Sequence, residues 1–361
     1  MKEIDRLSLI TRNTSEVITE DELRTLLKTR RALRGYIGVE PSGLFHVGWM
    51  IWASKLRDLM DAGVEMTFLE ATWHAFINDK LGGDLEKISK CASYLEHCLK
   101  ALGVNMKKLR IVRADDLVSD PDYWALVLRV AKRVTLARVK RAMTIMGRRE
   151  EEGVADFSKL IYPAMQVADI FYLDLDICLG GTDQRRAHML AREVAKGLGH
   201  KKPVAIHTPL LMGLLGIKRM DVSELTEADL IEAKMSKSKL ESCIFIHDGA
   251  ADVRRKVLSA FCPPRRVSNN PVIELNKYVL FSDPEFRLNI ERGEKYGGPI
   301  TFGSFKDLER AYRNGEVHPL DLKNATAAAL NERLSPVRRY FDENPEASRL
   351  LRDLKELTIT R

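Results

Sequence analysis

Gly35-Tyr36-Ile37-Gly38-Val39-Glu40-Pro41-Ser42-Gly43-Leu44-Phe45-His46-Val47-Gly48 is the stretch that decides the fold. A short apolar strand from Gly35 to Val39 is broken at Pro41-Ser42-Gly43. An amphipathic helical pattern then runs from His46 to Ala62, where Gly63 stops it. A strand that turns sharply into a helix start exposes free backbone amides and the positive end of the helix dipole, a ready seat for phosphate. Gly43 lets the backbone approach a ligand closely, His46 can donate to a phosphate oxygen, and Gly48 leaves room for a purine ring.

The pattern repeats outward from this turn. Strands are predicted at 66–71, 109–112, 176–179 and 204–207, and helices at 85–102, 121–146, 162–171 and 182–197. Residues 1–33 read as helical, with Thr19 or Glu20 near a helix start. Strands alternating with helices predict an α/β fold built on a doubly wound parallel sheet. Beyond residue 250 the strand signal fades, and helices are predicted at 253–261, 271–280, 305–314 and 321–341. We therefore divide the chain into a catalytic domain, 1–248, and a smaller helical domain, 249–361.

At 361 residues, 45% hydrophobic and 30% charged, the chain has the composition of an ordinary globular protein. Met1-Lys2-Glu3-Ile4-Asp5-Arg6 carries no apolar signal region, and no run of about 18 apolar residues follows, so a cytoplasmic protein without membrane contact is expected. Five cysteines with no CxxC pair argue against a disulfide framework or a zinc site; Cys91 and Cys98, seven apart on a helical pattern, read as packed thiols. The net charge of +7 is unevenly spread. From Trp124 to Arg149 the chain carries Arg129, Lys132, Arg133, Arg138, Lys140, Arg141, Arg148 and Arg149 and no acidic residue, a footprint for phosphates, most simply a nucleic acid. Glutamine occurs only twice, at Gln166 and Gln184, a scarcity typical of heat-adapted proteins.

Two further stretches carry chemistry. Lys234-Met235-Ser236-Lys237-Ser238 is a basic, hydroxyl-rich segment far downstream of the first turn. In Leu160-Ile161-Tyr162-Pro163-Ala164-Met165-Gln166-Val167-Ala168-Asp169-Ile170, Tyr162, Gln166 and Asp169 fall at i, i+4 and i+7, one polar stripe amid apolar neighbours. Polar groups so placed are costly unless paired, by each other or by a ligand.

The two signatures in this order resemble the class I aminoacyl-tRNA synthetases, and Glu40-Pro41-Ser42-Gly43 with the Tyr162 helix resembles the tyrosyl-tRNA synthetases of archaea and eukaryotes. The resemblance implies a Rossmann-like catalytic domain and a tyrosine–tRNA ligase that uses ATP, with Mg²⁺ accompanying it and no protein metal site assigned. It implies His46, Gly48, Lys234 and Lys237 as catalytic residues, and Ser42, Gly43, Met235, Ser236 and Ser238 as further ATP contacts. Tyrosine would be held by Tyr36, Gly38, Glu40, His74, Tyr162, Gln166, Asp169 and Gln184. Asp169 and Tyr36 would meet the phenol hydroxyl, and Tyr162, Gln166 and Gln184 the ammonium end. Arg141, Arg185, Tyr296, His318 and Asp321 would contact tRNA(Tyr), the last three at its anticodon. A homodimer with its interface among the helices between 85 and 165 is also implied.

Three features temper the resemblance. Trp49 stands where the family usually has His, Tyr or Asn, which removes a polar contact to ATP. Gly216 to Ala233 is an insertion relative to the short family linker. His318-Pro319-Leu320-Asp321 also reads as a plain helix start. The rival readings are a tryptophanyl enzyme, against which Tyr36 and Asp169 stand, and a catalytically dead RNA-binding paralogue, against which His46, Gly48, Lys234 and Lys237 stand.

Overall fold

The computed structural model describes residues 3–29, 32–146, 156–216, 233–237 and 239–359. Ser238, Arg148 and Arg149, and positions 217–232 of the insertion lie outside them. The chain folds into two compact units, one of residues 1–43, 52–209 and 350–361, the other of residues 44–51 and 210–349.

The first unit is built on a six-stranded sheet. Its strands are β1 (Glu16–Ile18), β2 (Leu33–Val39), β3 (Val64–Glu70), β4 (Arg110–Arg113), β5 (Ile177–Gly181) and β6 (Val204–Thr208). Their order is β1-β6-β5-β2-β3-β4, parallel throughout except for β1, which runs antiparallel to β6. The doubly wound sheet predicted from the alternation of elements is therefore present, with one short edge strand that a three-residue segment could not announce.

The chain winds from β2 through β3 to β4 on one side, then returns to lay β5 and β6 on the other. The order reverses between β2 and β5, where Tyr36 pairs with Cys178. Ligands of open α/β sheets bind at the carboxyl ends of strands flanking such a reversal. Glu40 follows β2 and Gln184 follows β5 at those ends.

Local chemistry explains the helix limits. Thr19 and Glu22 form a reciprocal capping box, Thr19 Oγ1 accepting from Glu22 N at 3.1 Å and Glu22 Oε2 accepting from Thr19 N at 3.2 Å, and this starts helix Glu20–Thr29. The stretch expected as one helix over 121–146 is broken into helices Pro121–Ala131 and Leu136–Ala142 and a 3₁₀ turn, Met143–Met146. Thr135 adopts an extended backbone and its hydroxyl accepts from Arg138 N, so a new helix begins there. All five cysteines are buried thiols. Among the described residues no helix is long and apolar enough to cross a membrane.

The second unit is largely helical, with helices Ala250–Ser259, Phe305–Asn314 and Pro319–Glu343 near their predicted places. Two features were not predicted. Helix Pro271–Glu274 continues as a π-helical turn over Leu275–Leu280, and a hairpin pairs β7 (Leu288–Ile290) with β8 (Ile300–Phe302). Strands of three residues carry too little alternation to be read from sequence.

One buried charge anchors the N-terminal helix Glu3–Thr11. Lys55 is 1% exposed, and its ammonium donates to Asp58 Oδ2 at 2.8 Å and to Leu9 O at 3.0 Å, while Arg12 reaches the other oxygen of Asp58 at 2.5 Å. Removing the carboxylate strands a buried ammonium, so Asp58→Ala should destabilise the fold by about 3–5 kcal/mol. Denaturant unfolding would check this, and a loss below about 1 kcal/mol, the worth of a surface pair, would contradict it.

Candidate active site

The pocket of the first unit grows from β2 and helix Ser158–Tyr172. The apolar face of that helix packs into the core, and its i, i+4, i+7 stripe carries Tyr162, Gln166 and Asp169. Asp169 is 1% exposed, and its carboxylate is clamped from two directions. The Tyr123 hydroxyl donates to Oδ1 at 2.8 Å, and His74 Nε2 faces Oδ2 at 3.1 Å. Burial alone would lower the pKa of His74, but the adjacent Asp169 carboxylate outweighs it and raises it. A carboxylate has about four lone-pair sites. Each oxygen therefore keeps one acceptor position for a further donor. Tyr36, also buried, has its hydroxyl pKa raised, chiefly by burial and further by Cys178 and Asp169.

Glu40 and the two glutamines carry the remaining polar groups of the pocket. The Tyr162 hydroxyl donates to Glu40 Oε1 at 2.7 Å, and Asn78 Nδ2 donates to both Glu40 oxygens at 3.0 and 3.1 Å. Lys80 stands 3.7 Å from Glu40 Oε2. Gln166 Nε2 donates to Gln184 Oε1 at 3.1 Å, and Gln184 Nε2 to Ile145 O at 3.2 Å. Gln166 Oε1 is buried without a protein partner, an acceptor with nothing to accept from. Gly38, exposed on β2, completes the strand side; a side chain there would touch the Tyr36 ring. Both glutamines, singled out by their scarcity, thus meet each other.

At the turn after β2, Gly43 takes φ 109°, and its amide donates to Cys91 Sγ at 3.2 Å. Cys91, read from sequence only as a packed thiol, therefore also fastens the turn that Ser42 and Gly43 form.

The second unit brings the two signatures together. Val47 N donates to Ile244 O at 2.9 Å and Ile246 N to Phe45 O at 3.1 Å, a short antiparallel bridge that seats His46 beside the segment following the second signature. A second bridge pairs Met212 with Lys234, and Met235 N donates to Leu211 O at 2.7 Å. His46 precedes a 3₁₀ turn, Val47–Trp49, and helix Met50–Asp61 follows, so the helix expected to run from His46 begins four residues later. The His46 ring is 6% exposed, and burial, then Lys237 and Lys234, hold its pKa well below the ordinary range. His46 is thus a neutral imidazole, and its buried Nδ1 has no protein partner. A β-carbon on Gly48 would lie 3.0 Å from that ring, so the residue clears space for His46 itself.

The remaining candidates have other partners. Arg141 and Arg185 are exposed on the first unit; Arg185 pairs with Glu16 at 2.8 Å, and Arg141 O accepts from Arg186 at 2.8 Å. In the second unit Tyr296 is 63% exposed in the hairpin loop between β7 and β8. Arg292 of that loop donates to Glu316 O at 2.7 Å, tying it to the segment that leads into His318. His318 caps helix Pro319–Glu343, its Nδ1 accepting from Leu320 N at 3.2 Å, and Asp321 lies in the first turn. The helix-start reading therefore holds for His318.

Tyr123 and Asn78 were not anticipated. Their partners lie 46 and 38 residues away, and nothing local in the sequence marks them.

Comparison with known proteins bears on the whole chain. Residues 28–335 match the family described as tRNA synthetases class I (W and Y). A tyrosine–tRNA ligase of Saccharolobus islandicus is 56% identical over 358 residues, 99% of each chain. The crystal structure of tyrosyl-tRNA synthetase from Aeropyrum pernix superposes with a TM-score of 0.87 at 47% identity, covering 98% of this chain and 99% of that one. The structure of the Pyrococcus horikoshii enzyme complexed with L-tyrosine gives 0.90 at 40% identity, covering 98% and 100%. With full-length relatives at this identity, the chain belongs to the class I tRNA synthetases, and within them to the tyrosine–tRNA ligases.

Proposed function

We propose the following roles for the residues of this ATP-dependent tyrosine–tRNA ligase. A carboxylate oxygen of tyrosine attacks the α-phosphorus of magnesium–ATP, the bond to the pyrophosphate oxygen breaks, and tyrosyl-adenylate forms. A hydroxyl of the terminal ribose of tRNA(Tyr) then takes the tyrosyl group and AMP leaves. The nucleophile is already ionised, so catalysis rests on positioning and on cations placed where phosphate charge develops.

The observation that carries the reading is a pocket with acceptors at both ends. Asp169, fixed by Tyr123 and His74, has lone pairs to spare for a phenol hydroxyl, and Tyr36 meets that hydroxyl from the other side. Gln166 Oε1 is an unpaired buried acceptor for an ammonium, with Tyr162, Gln184 and Glu40 around it and Gly38 leaving room. Tryptophan offers no para hydroxyl, so its binding would leave Asp169 and Tyr36 unmet. Lys234 and Lys237 act on the phosphates, with the neutral His46 as a donor. Ser42, Gly43, Gly48, Met235 and Ser236 shape the nucleotide's surroundings. Ser238 keeps its expected part as an ATP contact on sequence grounds alone.

Arg141 and Arg185 contact the acceptor end of the tRNA. Tyr296, His318 and Asp321 read the anticodon, supported by the exposure of Tyr296 and the Arg292 tie that fastens its loop to the segment preceding His318. The functional division stays at 1–248 and 249–361, although compact packing groups residues 44–51 and 210–248 with the helical part and residues 350–361 with the sheet. The protein works in the cytoplasm as a homodimer. Trp124 and Leu128, one helical turn apart, and Leu136 leave large apolar side chains exposed within the expected interface.

Tyrosine-dependent pyrophosphate–ATP exchange, run across the twenty amino acids, tests the pocket. Asp169→Ala should abolish activation of tyrosine, an effect far larger than the fall in melting temperature that comes from leaving the buried Tyr123 hydroxyl and His74 without their partner. A site built around a hydroxyl rejects the analogue lacking it by roughly four to five orders of magnitude, a discrimination already established for tyrosine against phenylalanine in this enzyme class. Normal tyrosine activation by the variant, with phenylalanine still excluded, would sink the assignment.

The His74–Asp169 pair gives a pH signature. Because the folded-state pKa of His74 is raised, the imidazolium that faces Asp169 is lost as pH rises through that raised value. KM for tyrosine should climb on the alkaline side, and His74→Asn should abolish the climb; a pH-independent KM in the native enzyme contradicts the pairing.

Asp321→Ala separates the two halves of the reaction. A carboxylate accepts well from the Watson–Crick edge of guanine, the first anticodon base of tRNA(Tyr), and RNA loops are read mainly through such unpaired bases. The variant should charge tRNA poorly and lose discrimination at that base, with pyrophosphate exchange near normal. Parallel loss of exchange, charging and melting temperature would show Asp321 to be merely part of the helix start.

A further inference from the structure

Trp49 closes the first signature, and the structure places its indole against a lysine of the second. Lys237 Nζ stands 3.7 Å from the centroid of the Trp49 ring. Phe45 packs edge-on against the same indole at 5.3 Å, and the His46 ring lies tilted at 5.3 Å. An indole has one N–H donor and no acceptor, so it cannot replace the hydrogen bonds of a histidine or asparagine. Its π face offers something different, a negative potential that attracts an ammonium within about 6 Å of the ring centroid.

Backbone pairing fixes both partners. Trp49 N donates to His46 O at 2.8 Å, and the first signature is itself bridged to Ile244 and Ile246. On the other side, Met212 pairs with Lys234, Met235 N binds Leu211 O, and Lys239 N donates to Ser236 O at 3.1 Å, closing a turn around Lys237. The four-carbon stem of a lysine is flexible, and ordering it at the moment of reaction opposes catalysis.

We propose that Trp49 is a positioning residue for Lys237: its indole face holds the ammonium beside His46, so that the cation is in place before charge develops on the phosphates of ATP. The low pKa of His46, set first by burial and then by Lys237 and Lys234, fits an ammonium held close to that ring. The inference rests on the assignment of Lys237 to the phosphates, which the same experiment tests separately.

Pyrophosphate–ATP exchange should be measured for Trp49→Leu, Trp49→Phe, Lys237→Ala and the double variant Trp49→Leu/Lys237→Ala, with melting temperatures alongside. Lys237→Ala should slow exchange by orders of magnitude with little change in KM for tyrosine. Trp49→Leu should lower kcat about five- to tenfold, the rate equivalent of a partly desolvated cation–π contact, again with KM for tyrosine unchanged. Trp49→Phe, which keeps an aromatic face, should lose less than about threefold. In the Lys237→Ala background, Trp49→Leu should cost nothing more, because the partner it serves is gone. An equal loss from Trp49→Leu with and without Lys237 would overturn the inference while leaving the role of Lys237 intact. A Trp49→Phe variant as slow as Trp49→Leu would overturn it too, since the aromatic face would then not be the cause. An unchanged rate in Lys237→Ala would overturn both the inference and the assignment beneath it.

Discussion

A carboxylate buried in the middle of a helix must be paired or neutralised, and the candidate site of the first unit is organised around that constraint at Asp169. The Tyr123 hydroxyl donates to one of its oxygens, and His74 Nε2 stands 3.1 Å from the other. They fix the carboxylate in direction and leave it room for a further donor. That residual capacity is what a phenol hydroxyl can fill and an unsubstituted ring cannot. The partners come from helices Thr72–Ile77 and Pro121–Ala131, so two packed elements converge to hold one side chain.

Around Gln166 and Glu40 the same logic holds with amide and hydroxyl donors. Gln166 Nε2 donates to Gln184 Oε1, and the side-chain carbonyl of Gln166 remains unpaired. Asn78, itself donating to Met146 O at 3.0 Å, holds both oxygens of Glu40 while Tyr162 takes a third bond there. Preorganised acceptors of this kind favour a cation without reorganisation when it binds. The reversal of strand order between β2 and β5 brings the carriers of Glu40 and Gln184 side by side. A doubly wound sheet does this by topology rather than by any special residue.

The signatures of the second unit illustrate a different constraint, the exclusion of charge from a buried imidazole. With two lysines nearby and little exposure, His46 can only be neutral, which suits donation to a phosphate better than competition with the lysines for it. The segments that carry the lysines and the histidine are joined by main-chain bonds, Val47 to Ile244 and Met235 to Leu211. The frame that seats these side chains is therefore set by the main chain rather than by the side chains themselves.

Periodicity and turn chemistry alone determined the alternating elements, the break at Pro41-Ser42-Gly43, the polar stripe of Tyr162, Gln166 and Asp169, and a helix start at Thr19 or Glu20. These are local properties: a helix face, a turn and a cap are set by residues a few positions apart. Tertiary structure decided what no local pattern encodes. Tyr123 on Asp169, Asn78 on Glu40 and Cys91 under Gly43 join residues 46, 38 and 48 positions apart. The π turn at Leu275–Leu280, the three-residue strands and the break at Thr135 depend on packing that outweighs weak propensity. Trp49 shows the difference most plainly. The sequence marked it as the loss of a polar contact, and only the fold put an ammonium on its face, because Lys237 is brought there by pairing across nearly two hundred residues of chain.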